Sequence, residues 1–161
     1  TEEATFSKAR ELLHNCPYPI VHYIGHGSFK SDSPEQSSLY FWEKPGRSGN
    51  KIAVNGHMLR FWLENSRVRF IHLTCCEGAR LGEANCLLDD DYLGIADSIL
   101  QAGVPSVLGY RWPITAAEAQ CMTLAFYESF LRHGSPELAL LDARRAQAER
   151  NTIWPGQRRS C

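Results

Sequence analysis

The stretch RVRFIHLTCCEG, residues 67–78, decides the fold class of this 161-residue chain. Arg67–Thr74 is dominated by β-branched and large apolar side chains, which predict a buried strand. The run leads directly into Cys75, Cys76, Glu77 and Gly78, so the strand is expected to end there. A strand that is apolar along its whole length is typical of a parallel sheet with both faces covered.

Two other segments have the same character. Ile20–Ile24 is a short apolar run that breaks at Gly25-His26-Gly27, and Val104–Tyr110 predicts a third strand. Helices are predicted over residues 5–15, 55–64, 92–102, 115–133 and 136–150. Because apolar strands alternate with helices, the sequence predicts an α/β fold with a mainly parallel central sheet and helices on both faces.

Local signals fix where several helices begin and end. Thr115 and Glu118 form a capping box, and Ser135 is a suitable N-cap for the last helix. Gly103 and Gly134 follow helices at positions where glycine commonly ends them. One domain is predicted over residues 1–150, with an irregular tail over residues 151–161.

The remaining segments are predicted to be loops around the strand ends. Leu39–Trp42 is interpreted as an edge strand, and the following stretch KPGRSGN as a loop. Residues 28–38, 43–54 and 77–92 are expected to form lids and specificity walls.

Composition excludes several classes of function. Seventeen basic and eighteen acidic side chains give a net charge of -1, so no direct contact with nucleic acid is expected. No signal peptide is visible and no apolar run approaches the ~18 residues of a membrane span, so a cytoplasmic location without membrane partners is predicted. The start at Thr1 is interpreted as the mark of a processed product or an excised domain.

The chain has six cysteines, which are Cys16, Cys75, Cys76, Cys86, Cys121 and Cys161. Without a secretory signal, reduced thiols are expected, most of them small buried hydrophobes. The cysteine and histidine spacings do not match a zinc motif, so neither a metal nor a cofactor is predicted. His22 and His72 lie inside apolar strands and are interpreted as core histidines.

His26 and Cys76 stand out because each follows an apolar strand, and sites in parallel sheets gather at the carboxyl ends of the strands. A thiol attacks a carbonyl only as the thiolate, so it needs a base such as histidine beside it. Gly27, next to His26, would leave backbone N–H groups open to a substrate. Cys76 follows His26 by 50 residues, which is the spacing of the caspase pair.

The sequence resembles the CHAT domain, a caspase-like peptidase domain often fused to TPR repeats in bacteria. Six stretches carry the resemblance in family order: His22–Gly27, Leu73–Glu77, Leu93–Asp97, Ala102–Val107, Trp112-Pro113, and Phe126–Glu128 through Ala139-Leu140. The resemblance extends over residues 20–147.

The resemblance implies a caspase-like three-layer fold and a cysteine endopeptidase that cleaves a protein substrate. His26 would be the general acid/base and Cys76 the nucleophile, with the N–H groups of Gly27 and Cys76 as the oxyanion hole. It also implies a regulatory TPR or sensor module, in the same chain or a partner, as in CRISPR-associated and other bacterial defence systems. The predicted substrate-binding residues are Thr74, Cys75, Arg111 and Trp112. Thr74 stands where relatives that cut after basic residues have an aspartate, so that preference is not expected.

Three alternatives stay open. The chain can be a catalytically silent scaffold that only binds partners, or a thiol-dependent hydrolase of small amides. Cys75 competes with Cys76 for the role of nucleophile, although neighbouring strand residues point to opposite sides and only one of them can face His26.

Overall fold

The structure, a computed structural model, describes residues 4–14, 16–28, 37–46, 48–75, 91–110 and 115–152. The helices are α1 (Phe6–His14), α2 (Gly56–Leu63), α3 (Asp91–Gln101), α4 (Ala116–His133) and α5 (Pro136–Thr152). The strands are β1 (Ile20–Gly25), β2 (Gly27–Ser28), β3 (Ser38–Lys44), β4 (Ser48–Asn55), β5 (Phe70–Cys75) and β6 (Ser106–Gly109). The chain divides into two compact units, residues 1–113 and 114–161. The predicted single domain over residues 1–150 and the tail over residues 151–161 stay predictions.

A parallel sheet forms the centre of the first unit, with the strand order β1-β5-β6. The central strand β5 is buried at every residue, as its apolar sequence predicts. The α/β prediction with a parallel sheet is therefore confirmed. The expected burial of β1 is only half correct, because Ile20 and Ile24 are exposed and Ile24 retains 74% of its accessible surface.

An antiparallel sheet joins β2, β3 and β4, and it was only partly predicted. Residues 48–54, expected to be loop, belong to β4, which pairs with β3 from Ser38↔Asn55 onward. Gly46 turns the hairpin with a φ of 73°. The first half of β4, Ser48–Lys51, is exposed and contains no apolar run. Its strand character comes from pairing with β3.

The core of the first unit lies between one face of the parallel sheet and the neighbouring elements. Ile71, Leu73 and Cys75 of β5 belong to one buried apolar cluster. The other members with full burial are Ala9, Cys16, Leu39, Phe41, Val54, Leu59, Trp62, Leu63, Val68, Ile95, Ile99 and Val104. Phe70 is buried outside this cluster, as expected because adjacent strand residues point to opposite faces.

Helix ends in the first unit follow local chemistry. The Asn55 side chain accepts a hydrogen bond from the backbone N–H of Met58 at 3.0 Å and caps α2. Gly103 ends the α3 region with a φ of 91°, a conformation that favours glycine. The C′ role predicted for Gly103 is confirmed.

The second unit is a pair of helices, α4 and α5, packed against each other. The predicted capping box of Thr115 and Glu118 is present at the start of α4, and Gly134 ends that helix in the left-handed conformation. Ser135 accepts from the N–H of Leu138 at 3.3 Å and caps α5. The buried Ser129 hydroxyl of α4 donates to Asp142 Oδ2 of α5 at 2.7 Å.

The cysteines only partly match expectation. Cys16 and Cys75 are buried and reduced. Cys121 is disulfide-bonded, which corrects the prediction of reduced thiols. The prediction rested on the absence of a visible secretory signal, and this absence does not determine the state of an individual cysteine. Within the described ranges, no helix has both the length and the apolar character needed to cross a bilayer.

Candidate functional site

The candidate site lies where β1 and β5 end. The two strands pair in parallel through six consecutive positions, from Ile20↔Phe70 to Gly25↔Cys75. Gly25 and Cys75 are also the last residues of their strands, so the strands end level. His26 follows β1 directly and its side chain is exposed. Cys76 lies outside the described residues.

The backbone of His26 is held from two directions. Its carbonyl oxygen accepts a hydrogen bond from the backbone N–H of Tyr40 at 2.9 Å. The same oxygen accepts from the Tyr23 hydroxyl at 2.8 Å. His26 occupies the single position between β1 and β2. Gly27 then pairs with Leu39 of β3, so the turn after β1 is connected to the antiparallel sheet.

Tyr23 brings its hydroxyl to this turn from the core. Its ring packs against Phe41 with 5.3 Å between the ring centroids. The hydroxyl also lies 2.8 Å from the carbonyl oxygen of Tyr40, so one proton is shared between two carbonyl oxygens. Burial, with the nearby Cys75 thiol adding to it, raises the pKa of Tyr23 well above its ordinary value. Tyr23 therefore stays protonated and remains a donor.

Gly25 leaves the space that the Tyr23 hydroxyl occupies. A Cβ atom at position 25 would lie 2.5 Å from that hydroxyl oxygen and 2.6 Å from Cζ. Real Cβ atoms do not approach other atoms so closely. The glycine before His26 is thus required for packing, because its backbone φ is not in the left-handed region.

The two sides of β5 differ in chemistry at this end. Cys75 is 5% exposed and belongs to the apolar core cluster. Thr74 points to the other face, where its Oγ1 lies 2.8 Å from His22 Nε2 and 3.5 Å from His72 Nε2. The last two residues of β5 therefore point into different surroundings, one apolar and one polar.

His22 and His72 form a stacked pair beneath Thr74. Their rings are nearly parallel, with 3° between planes and 4.3 Å between centroids. His72 is 1% exposed, and burial together with the neighbouring His22 lowers its pKa to about 3. Burial also lowers the pKa of His22. Both rings are therefore neutral near pH 7, in agreement with the interpretation of His72 as a core histidine.

The family model of the CHAT domain matches residues 1–154, nearly the whole chain. The chain belongs to the CHAT-domain family. The comparison with curated proteins found no match. The CHAT domain is a caspase-like domain related to cysteine peptidases.

In this CHAT domain, four of the predicted site residues lie at the ends of β1 and β5 or directly beyond them. His26 is exposed and Gly27 half-buried, whereas Thr74 and Cys75 are buried. The other three, Cys76, Arg111 and Trp112, lie outside the described residues, as do most of the predicted loops at 28–38 and 77–92. Within the described ranges, no three His, Cys, Asp or Glu side chains form a group that could hold a metal ion.

Sequence reasoning missed the two tyrosines of this CHAT-domain site. Tyr23 is part of an apolar strand and Tyr40 of the stretch Leu39–Trp42, and aromatic residues in strands usually serve packing. The interpretation of that stretch as an edge strand is wrong, because β3 lies between β2 and β4. One signal was available, because Tyr23 precedes Gly25 by two residues and both therefore lie on the same face of β1.

Proposed function

We propose that the chain is a cysteine endopeptidase that cleaves a protein substrate through His26 and Cys76. The observation that carries the proposal is the pairing of Gly25 with Cys75 at the level ends of β1 and β5. Adjacent strands lie about 4.8 Å apart. Residues that directly follow level strand ends therefore start from neighbouring positions, close enough for a thiol and an imidazole to meet.

The surroundings of Cys75 support Cys76 as the nucleophile. The thiol of Cys75 points into the apolar core, where water and substrate have no access. If only one of the two neighbouring cysteines can face His26, a buried Cys75 favours Cys76. The sequence left open which of the two cysteines is the nucleophile, and the burial of Cys75 supports the choice of Cys76.

The reaction follows from these roles. His26 takes the proton of the Cys76 thiol, and the thiolate attacks the scissile carbonyl carbon to form a C–S bond. The negative charge on the carbonyl oxygen is stabilised by the N–H groups of Gly27 and Cys76. His26 then gives its proton to the departing amine as the C–N bond breaks. Water, deprotonated by His26, hydrolyses the thioester and regenerates the thiol.

The proposal also covers substrate selection and regulation, and both of these parts are supported by the family resemblance. Arg111 and Trp112 follow the third parallel strand and would line the substrate groove, whereas Thr74 is buried against the stacked histidines. A TPR or sensor module, in this chain or a partner, would raise a slow basal activity, as in bacterial defence systems. The cleavage would take place in the cytoplasm, without a cofactor and without direct nucleic-acid contact.

The test uses the full chain and a library of proteome-derived peptides, with new termini read by mass spectrometry. We expect slow cleavage by the wild type, its loss in Cys76→Ala and in His26→Ala, and its retention in Cys75→Ala. Cleavage that survives Cys76→Ala and is lost in Cys75→Ala overturns the assigned nucleophile. Absence of any cleavage by the wild type overturns the peptidase assignment in favour of the binding scaffold, and turnover of small amides alone favours the small-molecule hydrolase.

A further inference from the structure

We propose that Tyr23 is a positioning residue for His26, acting through a hydrogen bond from its hydroxyl to the His26 carbonyl oxygen. This inference rests on the proposed function, in which His26 is the general acid/base. Tyr23 does not touch the substrate in this proposal. It fixes the backbone from which the imidazole extends.

The first argument is where the bond lies. His26 is the only residue between β1 and β2, so sheet pairing on either side does not by itself fix its backbone. Two donors converge on its carbonyl oxygen, the Tyr40 N–H at 2.9 Å and the Tyr23 hydroxyl at 2.8 Å. One comes from the antiparallel sheet and the other from the parallel sheet. The carbonyl of His26 is therefore where the two sheets are joined at the site.

The second argument is that Tyr23 is itself held firmly. Its ring is packed against the apolar cluster and contacts Phe41. Its hydroxyl lies over the α-carbon of Gly25, in space that any larger residue would fill. Because burial raises its pKa, the hydroxyl keeps its proton across the whole range in which a cysteine peptidase works. A rigid side chain that always donates can serve as a fixed anchor.

A second tyrosine anchors the other side of the same turn. The Tyr40 hydroxyl donates to Ser28 Oγ at 3.1 Å. The segment His26–Ser28 is thus tied at its first residue by Tyr23 and at its last by Tyr40. Catalytic groups are sensitive to such support, since a misplacement of about 1 Å can cost roughly 100-fold in rate.

The experiment compares Tyr23→Phe with the wild-type full chain, and Tyr18→Phe serves as the matched control because Tyr18 is 68% exposed. We expect Tyr23→Phe to lower kcat by about tenfold to 100-fold with KM nearly unchanged. The pH midpoint of Cys76 alkylation should also rise toward the ordinary ~8.5 of a free thiol, because a displaced imidazolium stabilises the thiolate less. Tyr18→Phe should change neither quantity.

The outcomes separate this inference from the function on which it rests. Cleavage that survives both His26→Ala and Cys76→Ala overturns the proposed function. If those two variants are inactive while Tyr23→Phe keeps the wild-type kcat and the wild-type alkylation midpoint, the role of Tyr23 is wrong. Should Tyr23→Phe not fold, p-aminophenylalanine at position 23, which keeps a donor, is expected to retain most of the activity. A loss as large as that of His26→Ala would then contradict the proposal.

Discussion

Gly25 and Cys75 face each other as paired residues at the last position of two parallel strands. Their pairing brings the starts of two sequence motifs, separated by 50 residues, to the same edge of the sheet. Both residues are small, and both lie on the face that also carries Tyr23. Gly25 leaves room for the Tyr23 hydroxyl, which donates to the carbonyl oxygen of His26.

Replacing Gly25 by alanine should disturb the site through Tyr23. The added Cβ would lie 2.5 Å from the tyrosine hydroxyl, so the ring must shift and its bond to His26 is lost. We expect a loss of about 1–3 kcal/mol in the free energy of unfolding, typical of overpacking, measured by urea denaturation. The control is Gly25→Ala in a Tyr23→Leu background, where the cost should fall to a small fraction. Equal costs in both backgrounds would show that the tyrosine is not the cause.

The stacked histidines should make stability depend on pH. The pKa of His72 is lowered from its ordinary 6.5 to about 3 in the folded chain. Between these two pH values the unfolded chain therefore binds a proton at His72 that the folded chain does not bind. Stability is therefore full above pH 6.5 and falls as the pH drops from 6.5 toward 3, by up to about 1.4 kcal/mol per pH unit. Urea denaturation between pH 7 and 5 tests this, because most carboxylates titrate below that window.

A variant isolates the contribution of the buried ring. His72→Phe keeps an aromatic ring in the stack but does not titrate, so its stability should change less between pH 7 and 5 than that of the wild type. His57 is exposed, and His57→Gln should keep the wild-type slope. A wild-type slope in His72→Phe would mean that another group takes up the proton on unfolding.

Cys75 is expected to matter for stability and not for catalysis. Truncation to alanine removes one buried sulfur atom from the core and should cost about 1 kcal/mol. Cys16→Ala is the matched control, because Cys16 is also reduced and is also buried in the same cluster. Both variants should unfold at slightly lower urea concentration and keep the wild-type alkylation of Cys76. A loss of that alkylation in Cys75→Ala alone would contradict a purely structural role.

In the helix pair, Ser129 should contribute more to stability than the neighbouring contact between His133 and Asp142. Ser129 is fully buried and donates to Asp142 at 2.7 Å, so Ser129→Ala should cost about 1 kcal/mol in the full chain. His133 lies 3.7 Å from the same carboxylate oxygen in an exposed pair, and His133→Gln should have a smaller effect. Chemical denaturation of both variants gives the comparison, and a reversed order would show that the His133–Asp142 contact dominates.

The parallel sheet was predictable because each of its strands has a recognisable apolar pattern within a short segment of sequence. The run FIHLTC of β5 is buried at all six positions, and only a covered central strand has such a pattern. The helix ends were predictable for the same reason, as the capping box of Thr115 and Glu118 is contained within four residues. Features that a short segment determines by itself are readable from sequence.

The missed features depend on partners that are distant in the chain. Strand β4 contains Asn50 and Lys51 and becomes a strand through its pairing with β3. The different surroundings of Thr74 and Cys75 depend on which face of β5 packs against the apolar core. Because β5 is buried on both faces, its sequence pattern does not distinguish them. The bond between Tyr23 and His26 also depends on the packing of the ring against Phe41 of another strand.

The pH dependence of Cys76 alkylation tests the central claim most directly. Iodoacetamide is added to the reduced full chain between pH 5 and 9, and each cysteine peptide is quantified by mass spectrometry in the wild type and in His26→Ala. The account predicts that Cys76 reacts faster than Cys75 in the wild type, with a midpoint below the ordinary ~8.5, and that His26→Ala returns the midpoint to that value. The same midpoint in both proteins, or faster reaction at Cys75, would contradict it.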